Sequence, residues 1–324
     1  MEMKNAKVTI GSRGSDLALW QARWVQQSLA NAFKDIDVSI EIIKTTGDKI
    51  LDSPLSKIGD KGLFTKEIEN ALLSRKIDLA VHSLKDLPTQ LPGGLTIGAI
   101  TKREDPRDVF IPHPGNPIRT LLDQSQGAAI ATGSLRRRSQ LLHKRPDFVI
   151  AEIRGNLNTR LKKLEQSRWA GMILAKAGVV RLGWEERIGE VIDATVLLPA
   201  VGQGALGIEI REGDERIAKL ISSLHHYATA QATIAERAFL RKLEGGCQVP
   251  IGTHGRVENE GDTQTLKLNA LVGSVDGSRV VQGNIQGHPS KAETLGKSLA
   301  ETLLAGGADE ILREIRVDQP VEIP

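Results

Sequence analysis

Four short stretches of the chain pair cationic side chains with small residues: Arg13-Gly-Ser15, Ser83-Leu-Lys85-Asp86, Thr132-Gly-Ser134-Leu-Arg136-Arg137-Arg138, and Arg154-Gly155-Asn156 with Arg160. Guanidinium groups grip carboxylates and phosphates in bidentate geometry, and small neighbours let an anion reach backbone amides. The chemistry implied is retention of a ligand with several acidic groups. A solvated basic helix face is the simpler reading for Arg138, Lys144, Lys162 and Lys163. It suits Arg13, Arg136, Arg137 and Arg154 less well, because these recur at loop-to-helix junctions. Asp86 reads as the one carboxylate inside this basic set. It is either an ion-pair partner or a group that handles protons and steadies positive charge on a ligand. The single cysteine, Cys247, stands in Glu244-Gly-Gly-Cys-Gln-Val-Pro-Ile-Gly252. With no partner for a disulfide, it is either a small packed apolar residue or a reactive thiol, and its glycine- and proline-flanked loop favours the second.

The elements that must present these groups follow from hydrophobic periodicity. Up to about residue 223, short apolar runs alternate with helical patterns: Val8 to Gly11 then Leu17 to Phe33, Val38 to Ile43, Ile77 to His82, Ala128 to Thr132 then Leu135 to Lys144, Phe148 to Ile153 then Asn156 to Gln166, and Met172 to Ala175. This alternation predicts open, largely parallel α/β sheets. Ligands of such sheets sit beyond the carboxyl ends of the strands, where helix N-termini offer free amides, and the cationic clusters fall there. Beyond residue 224 the pattern changes to a long helix (Ala228 to Leu243), the Cys247 loop, strands near 253–258, 264–273 and 279–284 with Asp276-Gly277 as a hairpin turn, and a final helix from about 290. That order reads as a separate, smaller α+β domain. Residues 45–62 form a polar connection far longer than the usual ~4–6 residues, as a lid would. Lys57 and Lys61 would then cover an anionic ligand; an ordinary surface loop is the alternative.

Composition removes several classes. The 324 residues carry a net charge of only +3, yet residues 130–165 hold nine Lys/Arg against three Asp/Glu, so positive charge is local. Ten aromatic residues in all argue against base stacking, and no recognition motif accompanies Arg136 to Arg138, so nucleic acid is not the expected partner. No apolar signal core or membrane-length run is seen, and one cysteine suits a reducing cytoplasm. The histidines lack metal-ligand spacing, so no metal is expected, and His225-His226 reads as a helix start. Gly202-Gln-Gly204-Ala-Leu-Gly207 matches a dinucleotide-binding pattern but leads into strand-like alternation where that motif needs a helix, and is rejected.

Eight segments in register closely resemble the porphobilinogen deaminase (hydroxymethylbilane synthase) family: Arg13 to Gln21, Lys57 to Phe64, Val81 to Pro88, Arg103 to Asp108, Gly133 to Arg137, Arg154 to Asn156, Leu198 to Gly204 and Glu244 to Gly252. The resemblance implies a cytoplasmic, monomeric transferase of tetrapyrrole (haem and chlorophyll) biosynthesis. It would join four porphobilinogen molecules into hydroxymethylbilane with release of ammonia. The primer would be a dipyrromethane cofactor held through a thioether to Cys247. Asp86 would assist deamination and stabilise cationic azafulvene and pyrrolinium intermediates. Cofactor and substrate contacts would fall on Arg13, Ser15, Ser83, Lys85, Thr132, Ser134, Arg136, Arg137, Arg154, Gly155, Asn156 and Arg160, with Gln203 a further assignment. Lys57, Lys61 and Phe64 would belong to a mobile loop and its end. The implied fold is two similar doubly wound α/β domains like type II periplasmic binding proteins, residues 1–102 with 200–222 and residues 103–199, followed by an α+β domain over 223–324 that carries the cysteine. Asp16 and Arg138 depart from the family's usual residues and bear on fine carboxylate contacts only. The competing reading is a non-catalytic polycarboxylate-binding protein of the same architecture, which would have no use for Cys247 or Asp86.

Overall fold

The computed structural model describes residues 6–49, 63–243, 249–261 and 263–318. They divide into two compact units, one formed by the chain up to Glu104 together with Ala205–Ala230, the other by Asp105–Gly204 together with the chain from Gln231.

The first unit holds the strands β1 (Ala6–Ser12), β2 (Ile36–Ile42), β3 (Leu79–Ser83), β4 (Leu95–Ile100) and, returning from far along the chain, β10 (Leu206–Arg211). Their order is β2-β1-β3-β10-β4. β1 pairs in parallel with β2 and β3, while β10 runs antiparallel between β3 and β4. Alternate strand residues decide which face is which. Val8, Ile10, Leu79, Val81, Ile208 and Ile210 are buried against α1 (Asp16–Ala32) and the later helix α7 (Glu215–Ile221). Ala80 and Leu95 turn the other way and pack on Ile68, Ala71 and Leu72 of α3 (Lys66–Leu73). A single-turn helix, α2 (Thr46–Lys49), precedes that element. Burying each such aliphatic side chain stabilises by about 1.5–3 kcal/mol, which is why a sheet with apolar residues on both faces must be covered twice.

The second unit repeats this plan. Strands β5 (Asp108–Pro112), β6 (Ala129–Ala131), β7 (Val149–Ala151), β8 (Gly171–Ala175) and β9 (Glu190–Val191) lie in the order β7-β6-β8-β5-β9. Again the fourth strand in the order, here β5, is the reversed one. Helices α4 (Leu135–Lys144), α5 (Leu157–Glu165) and α6 (Lys176–Arg181) follow β6, β7 and β8. The same unit carries a three-stranded antiparallel meander, β11 (Ile251–Glu260), β12 (Thr263–Gly273) and β13 (Val280–Gly287). Its core is made with α8 (Tyr227–Lys242), α9 (Ala292–Leu303) and α10 (Asp309–Asp318), through Phe239, Leu266, Leu268, Leu299 and Leu312. Gly277, at φ 74° in the turn between β12 and β13, holds the left-handed conformation that the Asp276-Gly277 pair predicts.

Two expectations change here. The sheets are mixed, not largely parallel, because β5 and β10 enter them reversed. The connection after residue 45 begins with the short helix α2, and its remainder, including Lys57 and Lys61, lies outside the described residues, as does Cys247. The rejection of the glycine motif agrees with the structure, since Leu206–Arg211 is a strand. His226 bonds the Thr229 amide and hydroxyl through Nδ1 at 3.2 and 2.8 Å, as a helix-start residue would.

Candidate active site

In the first unit, three chain segments converge on one depression. It is lined by Arg13, Ser15 and Gln21 from the end of β1 and the start of α1, Phe64, Thr65 and Ile68 at the start of α3, and His82, Ser83 and Asp86 at the end of β3. The space is about 460 Å³ including its open mouth. Ser15 caps α1, accepting from the Ala18 amide at 3.4 Å, so the serine that ends the first cluster also fixes where the helix begins. Gln21 reaches across to donate to Ser83 Oγ at 2.8 Å. Asp86 ends a 3₁₀ turn, Leu84–Asp86, anchored by the buried Leu84 and Leu87, and its own side chain is exposed. Lys85 in the same turn is half-buried.

Arg13 is the best-defined group of this set. Its guanidinium lies over the Phe64 ring, 4.1 Å from the centroid, and its Nε donates to Asp48 Oδ1 at 3.1 Å while Nη2 meets the same carboxylate. Thr45 Oγ1 donates to Asp48 Oδ2 at 2.8 Å. Burial works to raise the Asp48 pKa, but the bonds from Arg13 and Thr45 outweigh it and hold it below the ordinary value. Arg13 is thus already holding a carboxylate in the fork geometry that its position predicts.

In the second unit, the parallel neighbours β6 and β7 end side by side, Ala131 opposite Ala151, and deliver the other two clusters. Thr132 Oγ1 accepts from the Ser134 amide at 3.2 Å, and Ser134 caps α4. Gly155 sits at φ 109°, and the following Asn156 caps α5 by accepting from the Thr159 amide at 2.8 Å. Arg160 Nε donates to the Gly155 carbonyl at 2.9 Å, and Arg154 is half-buried beside them.

Arg136 and Arg137 both engage a carboxylate of the chain itself. They are 4% and 6% exposed and converge on Asp108, which is fully buried. Arg137 Nη2 meets Oδ1 and Arg136 Nη2 meets Oδ2, both at 2.8 Å, the second as a charge contact, not an aligned hydrogen bond. Arg136 also donates to the Leu198 carbonyl at 2.6 Å and Arg137 to the Ile173 carbonyl at 2.9 Å. Gln203 completes the knot, donating to Asp108 Oδ1 at 2.8 Å and the Pro106 carbonyl at 2.7 Å. Its turn is held by the buried Glu236, which accepts from the Gly202 and Gly255 amides at 2.6 and 2.7 Å. The view of Asp86 as the one carboxylate among the cations is therefore corrected: Asp48 and Asp108 also belong there. Sequence reading assigned neither a role, because an Asp in a loop and an Asp at a strand start carry no periodic signal for a partner at sequence separations of 35 and 29.

Burial alone would raise the Asp108 pKa, but the charges of Arg136 and Arg137 and the bonds from Arg137 and Gln203 hold it well below the ordinary carboxylate range. A depressed folded-state pKa gives stability that is complete above the unfolded value, roughly 3.9, and is lost as pH falls through that value toward the folded one. Asp108→Asn leaves two buried guanidinium groups without a counter-charge and is expected to cost about 3–5 kcal/mol of unfolding free energy. Denaturant titrations between pH 7 and 3 check this: the variant should lose less stability on acidification than the parent, and equal acid slopes would remove Asp108 from the account.

Comparison with known proteins decides the family. The model for the porphobilinogen deaminase dipyrromethane cofactor-binding domain matches residues 8–219, and that for the porphobilinogen deaminase C-terminal domain matches residues 230–305. The chain belongs to the porphobilinogen deaminase family. The porphobilinogen deaminase of Chlorobium phaeobacteroides (strain BS1) is 53% identical over 96% of this chain and 98% of its own length. Those of Desulforamulus reducens and Syntrophotalea carbinolica are 51% and 50% identical, covering 97% and 99% of this chain and 99% and 100% of theirs. As a porphobilinogen deaminase, or hydroxymethylbilane synthase, the chain is a transferase of tetrapyrrole biosynthesis with a dipyrromethane cofactor, and porphobilinogen is the family's substrate. The non-catalytic binding-protein reading has no support from these relatives. Among the described residues, no helix is long and apolar enough to cross a membrane.

Proposed function

We propose that Asp86 is the proton-handling carboxylate of this deaminase and that Cys247 carries its dipyrromethane. The observation that carries the first assignment is the shared depression. An exposed carboxylate, three hydroxyls and an arginine already bound to a carboxylate line one space. This donor set fits a pyrrole bearing acetate and propionate groups. Arg13 would take one carboxylate in place of Asp48, Ser15, Ser83 and Lys85 would bond others, and Phe64 would flank the guanidinium. When bound, the dipyrromethane supplies the primer end to which porphobilinogen is added. Asp86, at the mouth of the turn, would hold the leaving amine in its ammonium form and accept the proton shed from the pyrrole after coupling.

The second set would likewise suit carboxylates of a pyrrole ligand. Thr132, Ser134, Arg154, Gly155, Asn156 and Arg160 surround the free amides of α4 and α5, a favourable place for carboxylates. Arg136, Arg137 and Gln203 would act chiefly by holding that surface in shape and by keeping positive charge beneath it. We further read the protein as a cytoplasmic monomer with the three-domain division 1–102 with 200–222, 103–199 and 223–324, acting without nucleic acid or membrane.

The test is stoichiometry. Incubated with porphobilinogen, the purified protein should release one ammonia per porphobilinogen consumed and yield hydroxymethylbilane; consumption without ammonia would reject the assignment. A second expectation concerns Asp48, which competes with ligand for Arg13. Exposed ion pairs are worth about 0.2–1 kcal/mol, so Asp48→Asn should lower KM for porphobilinogen by up to about fivefold at nearly constant kcat. A raised KM would mean that Asp48 orients Arg13 instead of competing for it.

A further inference from the structure

Directly behind the pocket wall, the face of the first sheet that packs on α3 holds a group of three ionisable side chains, and further along β10 the buried Arg211 is engaged by the Leu72 and Ile77 carbonyls and by Asp214. In the antiparallel register, His82 stands opposite Gly207 and Glu209 opposite Ala80, so both point to the α3 side. His82 Nε2 and Glu209 Oε2 are 2.9 Å apart. Glu69 comes from α3 among the buried Ile68, Ala71 and Leu72. Glu209 is 0% exposed, His82 6% and Glu69 7%. Glu209 Oε1 and Glu69 Oε1 are buried without a hydrogen-bond partner among the described residues. His82 also lines the pocket that contains Asp86 and Ser83.

Among the described residues, no lysine or arginine pairs with this group. On α3, Lys66 is exposed and Glu67 bonds Thr46. On β10, Arg211 donates to the Leu72 and Ile77 carbonyls and to Asp214. At the end of β1, Arg13 is taken by Asp48, and on α1 Asp16 and Arg23 are exposed. On β3 and its turn, Asp78 pairs with Arg216 and Lys85 is half-buried beside the exposed Asp86; β4 carries no titratable side chain. Two carboxylates therefore face at most one positive charge, that of an imidazolium. The cluster either carries net negative charge or binds an additional proton. Burying charge without full compensation is costly, and a packed sheet face gains nothing structural from it.

We propose that Glu69, His82 and Glu209 are positioning residues that place one uncompensated negative charge in the low-dielectric layer behind the pocket, where it stabilises the cation formed when ammonia departs. This rests on the deaminase reading above. The amine nitrogen leaves as ammonia with the C–N electron pair, its methylene carbon stays bonded to the ring, and the positive charge of the ammonium form passes to that methylene and the substrate's pyrrole. A fixed negative charge behind that position favours the charge-shifted state more than a hydrated ground state, and acts without touching the substrate. Protonating the cluster switches the effect off. Burial raises the Glu69 pKa above its ordinary value, the nearby Thr65 hydroxyl opposes this, the Glu209 charge adds to it and His82 subtracts. Glu69, which burial pushes toward its neutral form, is the member whose protonation the experiment reads.

The experiment is the pH profile of kcat in the cofactor-loaded enzyme and its Glu69→Gln variant, whose amide imitates the protonated, silent form. The variant is expected to have kcat lowered about tenfold on the alkaline plateau, KM for porphobilinogen within about twofold, and an acid limb that has lost the step seen in the parent. Glu69→Asp should restore part of kcat and bring the step back. An unchanged profile, or a lower kcat with the step retained, would overturn the proposal. Should Glu69→Gln not fold, an infrared titration of the unsubstituted protein decides. A buried protonated-carboxyl band must appear across the same pH step, and its absence is fatal. If instead the parent enzyme releases no ammonia from porphobilinogen, the deaminase reading fails while the infrared titration still reports on the cluster.

Discussion

Replacing Asp86 with asparagine is expected to cut turnover of porphobilinogen by roughly 10²–10⁴-fold while leaving the fold intact. The size of the effect follows from the two tasks proposed for one carboxylate. General acid–base transfer is lost outright, because an amide neither gives nor accepts a proton at neutral pH, and the negative charge beside the developing cation disappears with it. At 1.36 kcal/mol per tenfold, this is a rise of about 3–5 kcal/mol in the barrier. Stability should change little, because Asp86 is exposed and the turn is held by other groups. Leu84 N donates to the Ala205 carbonyl at 3.0 Å, and Leu84 and Leu87 are buried beneath it. Surface substitutions of this kind usually stay within about 0.5 kcal/mol. Ammonia release at saturating porphobilinogen, set beside a denaturant midpoint, separates the two effects. Turnover within about threefold of the parent would reassign Asp86 to an ion-pair role.

Cys247→Ser should abolish both the covalent cofactor and the activity. A thiol with an ordinary pKa near 8.5 offers an appreciable thiolate fraction near neutral pH, whereas an unactivated serine hydroxyl offers essentially none, so the tether-forming step fails at its first requirement. Intact-mass measurement of the purified parent should show mass beyond that of the polypeptide, and peptide mapping should place it on Cys247. The serine variant should show the polypeptide mass alone. Added mass that maps elsewhere, or a serine variant that turns over at the parent's rate, would end the tether assignment.

The two aspartates that neutralise predicted ligand arginines show where sequence reading stops. Arg13, Arg136 and Arg137 look alike as strand-end cations, yet Arg13 lines an open depression and pairs with the half-buried Asp48, whereas Arg136 and Arg137 are buried around Asp108. Residue type and position relative to a strand are local properties and were readable. Burial and choice of partner depend on what the chain brings back from 29 to 35 residues away, and local pattern does not encode that. The cluster behind the pocket is a sharper case. His82 and Glu209 are separated by 127 residues and meet only because β10 returns, reversed, beside β3.

By itself the sequence determined the α/β alternation, the placement of cations and caps at strand ends, the change to an antiparallel meander near the C-terminus, and the family. Each of these is written in periods of two or 3.6 residues, in turn chemistry, or in contiguous motifs. Only the tertiary structure decided the direction of β5 and β10, how deeply each arginine is buried, and which carboxylates sit against them. An apolar run reports that a strand is buried but not which way it runs, and a charged side chain reports its charge but not its neighbour. Both are settled when long-range pairing forms the sheet.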